Sequence, residues 1–149
     1  MKKVVIAEDD YQIRSLLAHA IEDMGYLCIQ CSTGTKALHV LQDNPDIDLL
    51  ITDMIMPELS GEDLIKILRC REQTKEMPIV IISALTRYED IAYLLDLGAS
   101  RFLTKPIDFE ELESALRALL EENPPRSPDS AYNLLPKRNT GIVPSVLDP

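Results

Sequence analysis

The stretch LLITDMIMPELSG, residues 49–61, joins a strand-like run to an acid and a loop. It begins as a short run of apolar and β-branched residues, ends abruptly on an acid, Asp53, and then enters a loop that contains Pro57 and Gly61. Such a run is typical of a buried strand, and in open α/β sheets ligands bind beyond the carboxyl ends of the strands. We therefore expect Asp53 to lie at a ligand-binding edge.

Strand-like and helical segments alternate on both sides of this stretch. The strand-like runs are KVVIA, YLCIQ, DLLIT, PIVIIS and RFLT. The helical segments that follow them are YQIRSLLAHAIEDMG, GTKALHVLQDN, GEDLIKILRCRE, RYEDIAYLLDLG and DFEELESALRALLEE. Helix boundaries are marked by Gly25 after the first helix and by three capping pairs: Ser60 with Asp63, Thr86 with Glu89, and Asp108 with Glu111. The chain thus contains five successive βα units.

The central strand-like runs KVVIA, DLLIT and PIVIIS each have a continuous apolar centre, in which apolar and polar residues do not alternate. Continuous runs of this kind indicate strands that are covered on both faces. The pattern therefore predicts an α/β fold, in which a doubly wound five-stranded parallel sheet has helices on each side.

Composition limits the classes of partner that this chain can bind. The chain has 149 residues, 46% of them hydrophobic, which is enough for one domain with its own core. Its formal charge of −10 disfavours direct contact with nucleic acid or anionic lipid, because both carry phosphates. No apolar run approaches the roughly 18 residues of a membrane span, and the amino terminus does not resemble a signal peptide. We expect a cytoplasmic protein with neither a membrane nor a nucleic acid as partner.

Three cysteines are present, and two of them form the motif CIQC, residues 28–31. In a strand, residues three positions apart point to opposite faces, so the thiols of Cys28 and Cys31 should diverge. A zinc site would need about four ligands, which Cys70 and two helical histidines do not supply. We interpret the cysteines as apolar core residues.

Polar residues stand at the ends of four predicted strands. Glu8 and Asp9 follow the first, Asp53 the third, Ser83 the fourth and Lys105 the fifth. Clustered carboxylates repel one another, and a divalent cation with oxygen ligands relieves that repulsion, with Mg²⁺ the natural candidate. A carboxylate nucleophile, Mg²⁺, a lysine and a hydroxyl together suit a crevice that receives a phosphoryl group.

Four motifs carry a family resemblance: IAEDD, ITDMIMPELSG, VIISA and FLTKPI. In order and spacing they resemble the receiver domain of bacterial two-component response regulators. The resemblance covers Lys2 to about Glu122, which predicts a receiver domain over residues 1–122 with a flavodoxin-like sheet of order 2-1-3-4-5. It also implies a function in phosphorelay signal transduction: a sensor histidine kinase or phosphotransfer protein donates a phosphoryl group, and the domain switches a protein interaction surface rather than turning over a separate substrate.

The resemblance assigns roles to the metal-binding side of the crevice. Asp53 would be the phospho-acceptor and also a Mg²⁺ ligand, Asp9 would bind the metal directly, Glu8 would assist, and the backbone carbonyl of Ile55 would complete the protein ligands. Glu8 stands where the family more often has Asp. That difference adds one methylene beside the metal.

The resemblance also assigns the phosphoryl contacts and the switch. Ser83 and Lys105 would contact the phosphoryl oxygens, and Phe102, where Tyr is frequent, would move inward as Ser83 moves toward the phosphoryl group. This movement would alter the surface beside Tyr93 and Arg101. A cis peptide bond before Pro106 is expected, since Lys105 must turn sharply toward Asp53.

Three alternative functions each require a sequence feature that differs from what this chain has. An aspartyl-phosphate phosphatase usually has a second acid two residues after the nucleophile, where this chain has Ile55. An unphosphorylated interaction module of the same fold would be expected to have lost a site residue, and none is lost. A flavin-binding protein of similar topology would need a phosphate loop after the first strand, where AEDDYQ would repel phosphate.

Residues 123–149 differ in composition from the rest, because they hold six of the ten prolines and show no helical or strand period. We predict a Pro-rich tail or linker. Its apolar clusters, around Tyr132 and Ile142, should lie against this domain or a neighbouring copy. The output would then be a downstream protein target or an output domain outside this sequence, with a homodimer as a further possibility.

Overall fold

The computed structural model describes residues 1–84 and 87–121, and within these ranges it contains five strands and five helices in strict alternation. The strands are β1 (Lys3–Ala7), β2 (Leu27–Cys31), β3 (Leu49–Asp53), β4 (Ile79–Ser83) and β5 (Arg101–Thr104). The helices are α1 (Tyr11–Asp23), α2 (Gly34–Asp43), α3 (Gly61–Arg69), α4 (Tyr88–Leu97) and α5 (Phe109–Leu120). The predicted tail and Thr86 lie outside the described residues.

All strand pairs in the sheet are parallel, and the strand order is β2-β1-β3-β4-β5. The predicted fold class and order are confirmed. The strand order reverses at β1: the chain places β2 on one side of β1 and then returns to place β3 on the other side. Ligands bind at such a reversal in doubly wound sheets.

The core has two layers, one on each face of the sheet. Successive residues of β1 show the division, because Val5 packs with α2, α3 and α4, whereas Val4 packs with α1 and α5. All five residues of β3 and of β4 are buried, as the continuous apolar pattern predicted. Among the described residues, no helix has the length and apolar character needed to cross a bilayer.

The two cysteines of the CIQC motif lie on opposite faces of the sheet, as predicted. Cys31 is buried in the layer beneath α2, and Cys28 packs against the layer beneath α1 and α5. Burial raises the pKa of Cys28 to about 12 and also raises the pKa of Cys31. Both thiols are therefore protonated and apolar in character near neutral pH.

Helix boundaries mostly follow the predicted signals. Ser60 accepts a hydrogen bond from the backbone N–H of Asp63, and Asp108 caps α5 in the same manner. The predicted cap of α4 is corrected, because that helix begins at Tyr88 with Arg87 at its N-cap and without a side-chain cap hydrogen bond. The segment expected to be helical as far as residue 72 is also shorter, since α3 ends at Arg69.

Candidate functional site

The strand order brings the predicted polar residues to one edge of the sheet. Strands β1, β3, β4 and β5 are consecutive neighbours, so the residues at their carboxyl ends lie side by side. Asp53 pairs in register with Ile82, and Ser83 pairs with Thr104, the residue before Lys105. Glu8 and Asp53 are 1% and 7% exposed, and Ser83 is also buried. The crevice therefore places carboxylates in surroundings from which most water is excluded.

Lys105 bridges the two buried acids. Its Nζ donates a hydrogen bond to Oδ2 of Asp53 at 2.8 Å and lies 3.2 Å from Oε1 of Glu8. Burial lowers the pKa of Lys105, but the hydrogen bond and charge of Asp53, together with Glu8, raise it to a net value above the usual one. The lysine is therefore a fixed positive charge at neutral pH.

Glu8 is held in a strained electrostatic position. Burial, the principal cause, and the neighbouring Asp53 raise the pKa of Glu8 to about 7, although the backbone N–H of Asp10 and the charge of Lys105 oppose the shift. Its Oε2 accepts from the Asp10 N–H at 3.2 Å, whereas its buried Oε1 lies 3.2 Å from the Lys105 ammonium and has no well-aligned hydrogen bond within the described part of the chain. The ion pair with Lys105, which is shared with Asp53, is therefore the main compensation for this buried oxygen.

The donor set fits a hard divalent cation. One carboxylate oxygen from each of Glu8, Asp9 and Asp53 lies within 4.8 Å of the others, and Asp9 is exposed to solvent. Lys105 pairs with two of these three carboxylates, Glu8 and Asp53, and the buried Oε1 of Glu8 has no well-aligned hydrogen bond among the described residues. Oxygen ligands with excess negative charge are what Mg²⁺ prefers, and one open side allows the metal to retain water. These residues fit Mg²⁺.

The turn from β1 to α1 holds the acidic residues in place. Asp10 caps α1, since its Oδ1 accepts from the N–H of Ile13 at 3.1 Å, which leaves Asp9 directed by the turn rather than used as a cap. Arg14 donates from Nη1 to the carbonyl oxygen of Glu8 at 2.8 Å. No pattern in the sequence signalled this second contact, because it joins a helix side chain to a strand-end carbonyl.

The loop between β3 and α3 is anchored at its base. The hydroxyl of Thr52 donates to the carbonyl oxygen of Asp53 at 2.9 Å, and the N–H of Gly61 donates to the carbonyl oxygen of Met54 at 2.9 Å. Thr52 is buried and was not singled out from the sequence. The side chain of Ile55 is 82% exposed, so the position two residues after Asp53 presents an apolar group at the crevice.

The fifth strand contributes both Lys105 and Phe102. The peptide bond between Lys105 and Pro106 is cis, as predicted, and the N–H of Lys105 donates to the carbonyl oxygen of Ser83 at 2.9 Å. Phe102 pairs in register with Ile81 and belongs to the core layer that includes Leu94 of α4. The Phe102 ring thus lies between β5 and α4, and β4 separates its strand from the strand of Asp53.

The family model named response regulator receiver domain matches residues 4–117. The chain belongs to this family. Receiver domains are phospho-accepting switches in two-component signalling, and the crevice described above occupies the expected edge of the receiver fold. Among curated receiver-containing relatives, the transcriptional regulatory protein CpxR of Escherichia coli K12 is 36% identical over 123 residues, a match that covers 83% of this chain and 51% of CpxR.

A second regulator and a solved receiver structure support the same assignment. The phosphate regulon transcriptional regulatory protein PhoB of Pseudomonas aeruginosa is 32% identical over 124 residues, covering 83% of this chain and 54% of PhoB. The structure of the chemotaxis response regulator CheY4 of Vibrio cholerae is 31% identical with a TM-score of 0.76, covering 80% of this receiver chain and 99% of CheY4. The chain spans about half the length of the curated relatives.

Proposed function

We propose that Asp53 accepts a phosphoryl group from the phosphohistidine of a sensor histidine kinase or phosphotransfer protein. The observation that carries the proposal is the position of Asp53: it is 7% exposed, hydrogen-bonded to Lys105 at 2.8 Å and grouped with Glu8 and Asp9 within 4.8 Å. A carboxylate attacks the phosphorus, the bond from phosphorus to the imidazole nitrogen breaks, and its electron pair returns to the ring. The product is an aspartyl-phosphate.

The residues of the crevice act through position and charge. Lys105 would give up its hydrogen bond to Asp53 and pair with the negative charge of a phosphoryl oxygen. Ser83, at the end of the neighbouring strand, would supply a hydroxyl that donates to another phosphoryl oxygen. Mg²⁺, held by Glu8, Asp9, Asp53 and the Ile55 carbonyl, would neutralise charge on the transferring group when bound. Such charge neutralisation lets a weak nucleophile react.

An exposed apolar side chain at Ile55 argues against a phosphatase that acts on a separate substrate. A second acid at this position would be needed to protonate a leaving group. Ile55 is 82% exposed and has no ionisable group. The chain would therefore hold its phosphoryl group as a signal.

The signal would be read on the face formed by α4, β5 and α5. Phe102 is 6% exposed and packs in the layer that contains Ile91 and Leu94, while Tyr93 of the same helix is 47% exposed. A movement of Ser83 would reach Tyr93 through this packing. Such a switch requires two conformations of the domain that differ in free energy by only a few kcal/mol. The reader would be a protein target or an output domain, in line with the transcriptional regulatory names of CpxR and PhoB.

Intact-mass measurement after treatment with acetyl phosphate and Mg²⁺ tests the acceptor. The wild-type chain should gain the mass of one phosphoryl group, and Asp53→Asn should gain none. Asp9→Asn is a useful companion, because it keeps the acceptor and should reduce labelling in the same direction as omission of Mg²⁺. Undiminished labelling of Asp53→Asn would exclude Asp53.

Replacement of Phe102 tests the route to the surface. Phe102→Ala should still be phosphorylated at Asp53, because β4 separates the strand of the ring from the strand of the acceptor. Chemical shifts of the exposed Tyr93 ring should then respond less to phosphorylation than in the wild type. An equally large response in the variant would mean that another path carries the signal.

A further inference from the structure

Gly34, the first residue of α2, lies directly against the loop that joins β3 to α3. A Cβ atom built on Gly34 would stand 2.1 Å from the carbonyl oxygen of Leu59, 2.8 Å from its Cβ and 2.9 Å from its carbonyl carbon. Two of these three atoms belong to the backbone, so no side-chain rotation relieves the overlap. Any larger residue at position 34 must displace the loop or the helix by about an ångström.

The reason for glycine at this position is steric. Gly34 is not among the residues with positive φ, so an ordinary residue could adopt its backbone conformation. Glycine is also the poorer helix former, by about 1 kcal/mol relative to alanine. Thr33 already caps the helix by accepting from the N–H of Lys36 at 3.1 Å. The close approach to Leu59 is therefore the reason that position 34 has no side chain.

The same loop is fixed at its other end by a second close approach. A Cβ atom on Gly61 would stand 2.4 Å from the carbonyl oxygen of Asp53 and 3.0 Å from the Cα atom of Met54. Between these two contacts the loop carries Ile55. The backbone that follows the phospho-acceptor is thus held between α3 and α2, although α2 contributes no group to the crevice itself.

We propose that Gly34 is a positioning residue for the metal-binding loop: by letting α2 touch Leu59, it sets the location of the Ile55 carbonyl relative to Asp53 and Asp9. The inference rests on the proposed function, because it takes the loop carbonyl as a Mg²⁺ ligand. Displacing the loop by a methyl group then weakens the site without altering any carboxylate.

Titration calorimetry of the full chain with MgCl₂ tests this role. Gly34→Ala should bind Mg²⁺ about tenfold more weakly than the wild type, the size of effect that supporting residues of metal sites show. Gly25→Ala is the matched control, because Gly25 has a φ of 91° and its added Cβ would meet no atom within 4 Å. The control should lose stability and yet bind Mg²⁺ within twofold of the wild type.

Wild-type Mg²⁺ affinity in Gly34→Ala would overturn the proposal, and so would an equal loss in Gly25→Ala, which would reduce the effect to general destabilisation. A second variant covers the case in which Gly34→Ala does not fold. Thr33→Ala removes only the cap of α2, and it should speed amide exchange at Leu59 and Gly61 several-fold, with the Lys105 amide as an internal control. Unchanged exchange at Leu59 and Gly61 would contradict any influence of α2 on the loop.

The exchange measurement needs no metal, and it separates the two proposals. If the wild-type chain bound no Mg²⁺, the proposed function would fail at its metal step. A faster exchange at Leu59 in Thr33→Ala would even then show that α2 holds the loop. If Mg²⁺ bound normally to both the wild type and Gly34→Ala, the positioning role would fail and the proposed function would stand.

Discussion

The strand ends form an amino edge and a carboxyl edge of the sheet. Each of these edges pairs one lysine with acids, but the surroundings of the charges differ. At the amino edge, Lys3 forms an ion pair with Asp46, and the backbone N–H of Lys3 donates to Asp48 at 2.8 Å. The side chains of that ion pair are 35% and 59% exposed. At the carboxyl edge, one lysine faces two acids that are almost completely buried.

The amino edge is electrostatically satisfied, and its charges remain in water. Lys3 lowers the pKa of Asp46 chiefly through their hydrogen bond, as in an ordinary surface pair. At the carboxyl edge burial raises the pKa of Glu8 to about 7, which is the opposite direction for the same kind of group. Buried acids that share one cation thus mark the candidate site, whereas the well-paired exposed charges belong to the scaffold.

Removing each lysine is the strongest test of this comparison. Lys105→Ala should lower the free energy of unfolding by about 2–3 kcal/mol at pH 8 without Mg²⁺, because it leaves Glu8 and Asp53 buried without their cation. Lys3→Ala should cost less than about 1 kcal/mol, since its partner is exposed. Urea unfolding monitored by circular dichroism measures both. Similar losses in the two variants would remove the distinction between the edges.

Metal binding should sharpen the comparison by stabilising only the carboxyl edge. With free Mg²⁺ at ten times its dissociation constant, linkage predicts a gain of about 1.4 kcal/mol in the wild type. Asp9→Asn should abolish the gain with little effect on metal-free stability, because Asp9 is exposed. Asp46→Asn is the matched change at the amino edge and should leave the gain intact. Thermal unfolding with and without MgCl₂ would show a contradiction if Asp46→Asn removed the gain.

A hydrogen bond at the amino edge should be worth about 1 kcal/mol. The hydroxyl of Tyr26, just before β2, donates to the carboxylate of Glu121 beyond α5, and Tyr26 is 8% exposed. Tyr26→Phe should lose this amount in urea unfolding at pH 7, while phosphorylation of Asp53 continues at the wild-type rate. A phosphorylation defect in this variant would show that the two edges are coupled.

The same tyrosine gives a pH dependence with a definite sign. Burial, followed by Glu121, raises the pKa of Tyr26 to about 12, whereas an unfolded tyrosine ionises near about 10. Because the folded-state pKa is the higher one, the stabilisation is complete below pH 10 and is lost as the pH rises through 12. Absorbance titration near 295 nm should show a late-ionising tyrosine that is absent in Tyr26→Phe.

The smallest expected effect concerns the loop at the carboxyl edge. Glu58 has a φ of 71°, a conformation that costs a residue with a side chain more than it costs glycine. Glu58→Gly should therefore raise the free energy of unfolding by roughly 0.5 kcal/mol, after allowance for the greater freedom of glycine in the unfolded chain. Glu62→Gly in the first turn of α3 is the control and should destabilise. A loss of stability in Glu58→Gly would show that its side chain supports the loop.

The fold could be predicted because its signals are local. Continuous apolar runs, helical periods and capping residues each depend on neighbouring positions, and they identified all ten elements. The end of α3 was missed because its cause is not local in this sense. Thr74 donates to the carbonyl oxygen of Leu68 at 2.6 Å, and Arg69 donates to that of Gly98 at 2.7 Å. Contacts with the following turn and with a distant loop thus accompany the end of the helix, where the sequence has no glycine or proline to mark it.

The residues of the candidate site could be predicted from the sequence, but most of the contacts that hold them in place could not. Strand ends indicated which polar groups would converge, since parallel strands share one carboxyl edge. The bond from Arg14 to the Glu8 carbonyl and the approach of Gly34 to Leu59 could not be predicted, because each depends on how a helix packs against a loop from another unit. Gly34 and Gly61 each follow a capping hydroxyl at a helix start, so the sequence marks both as glycines without a capping role, but it does not show which backbone each one approaches.

The five polar residues of the crevice come from four different βα units, which the ribosome completes one after another. Glu8 leaves the ribosome first and Lys105 nearly a hundred residues later, so a chain that stops after β4 would hold the acceptor without its counter-charge. No partial fold can assemble the set. Under the proposed function, the crevice is complete only after β5 has docked, so a nascent chain that lacks β5 should not be phosphorylated at Asp53.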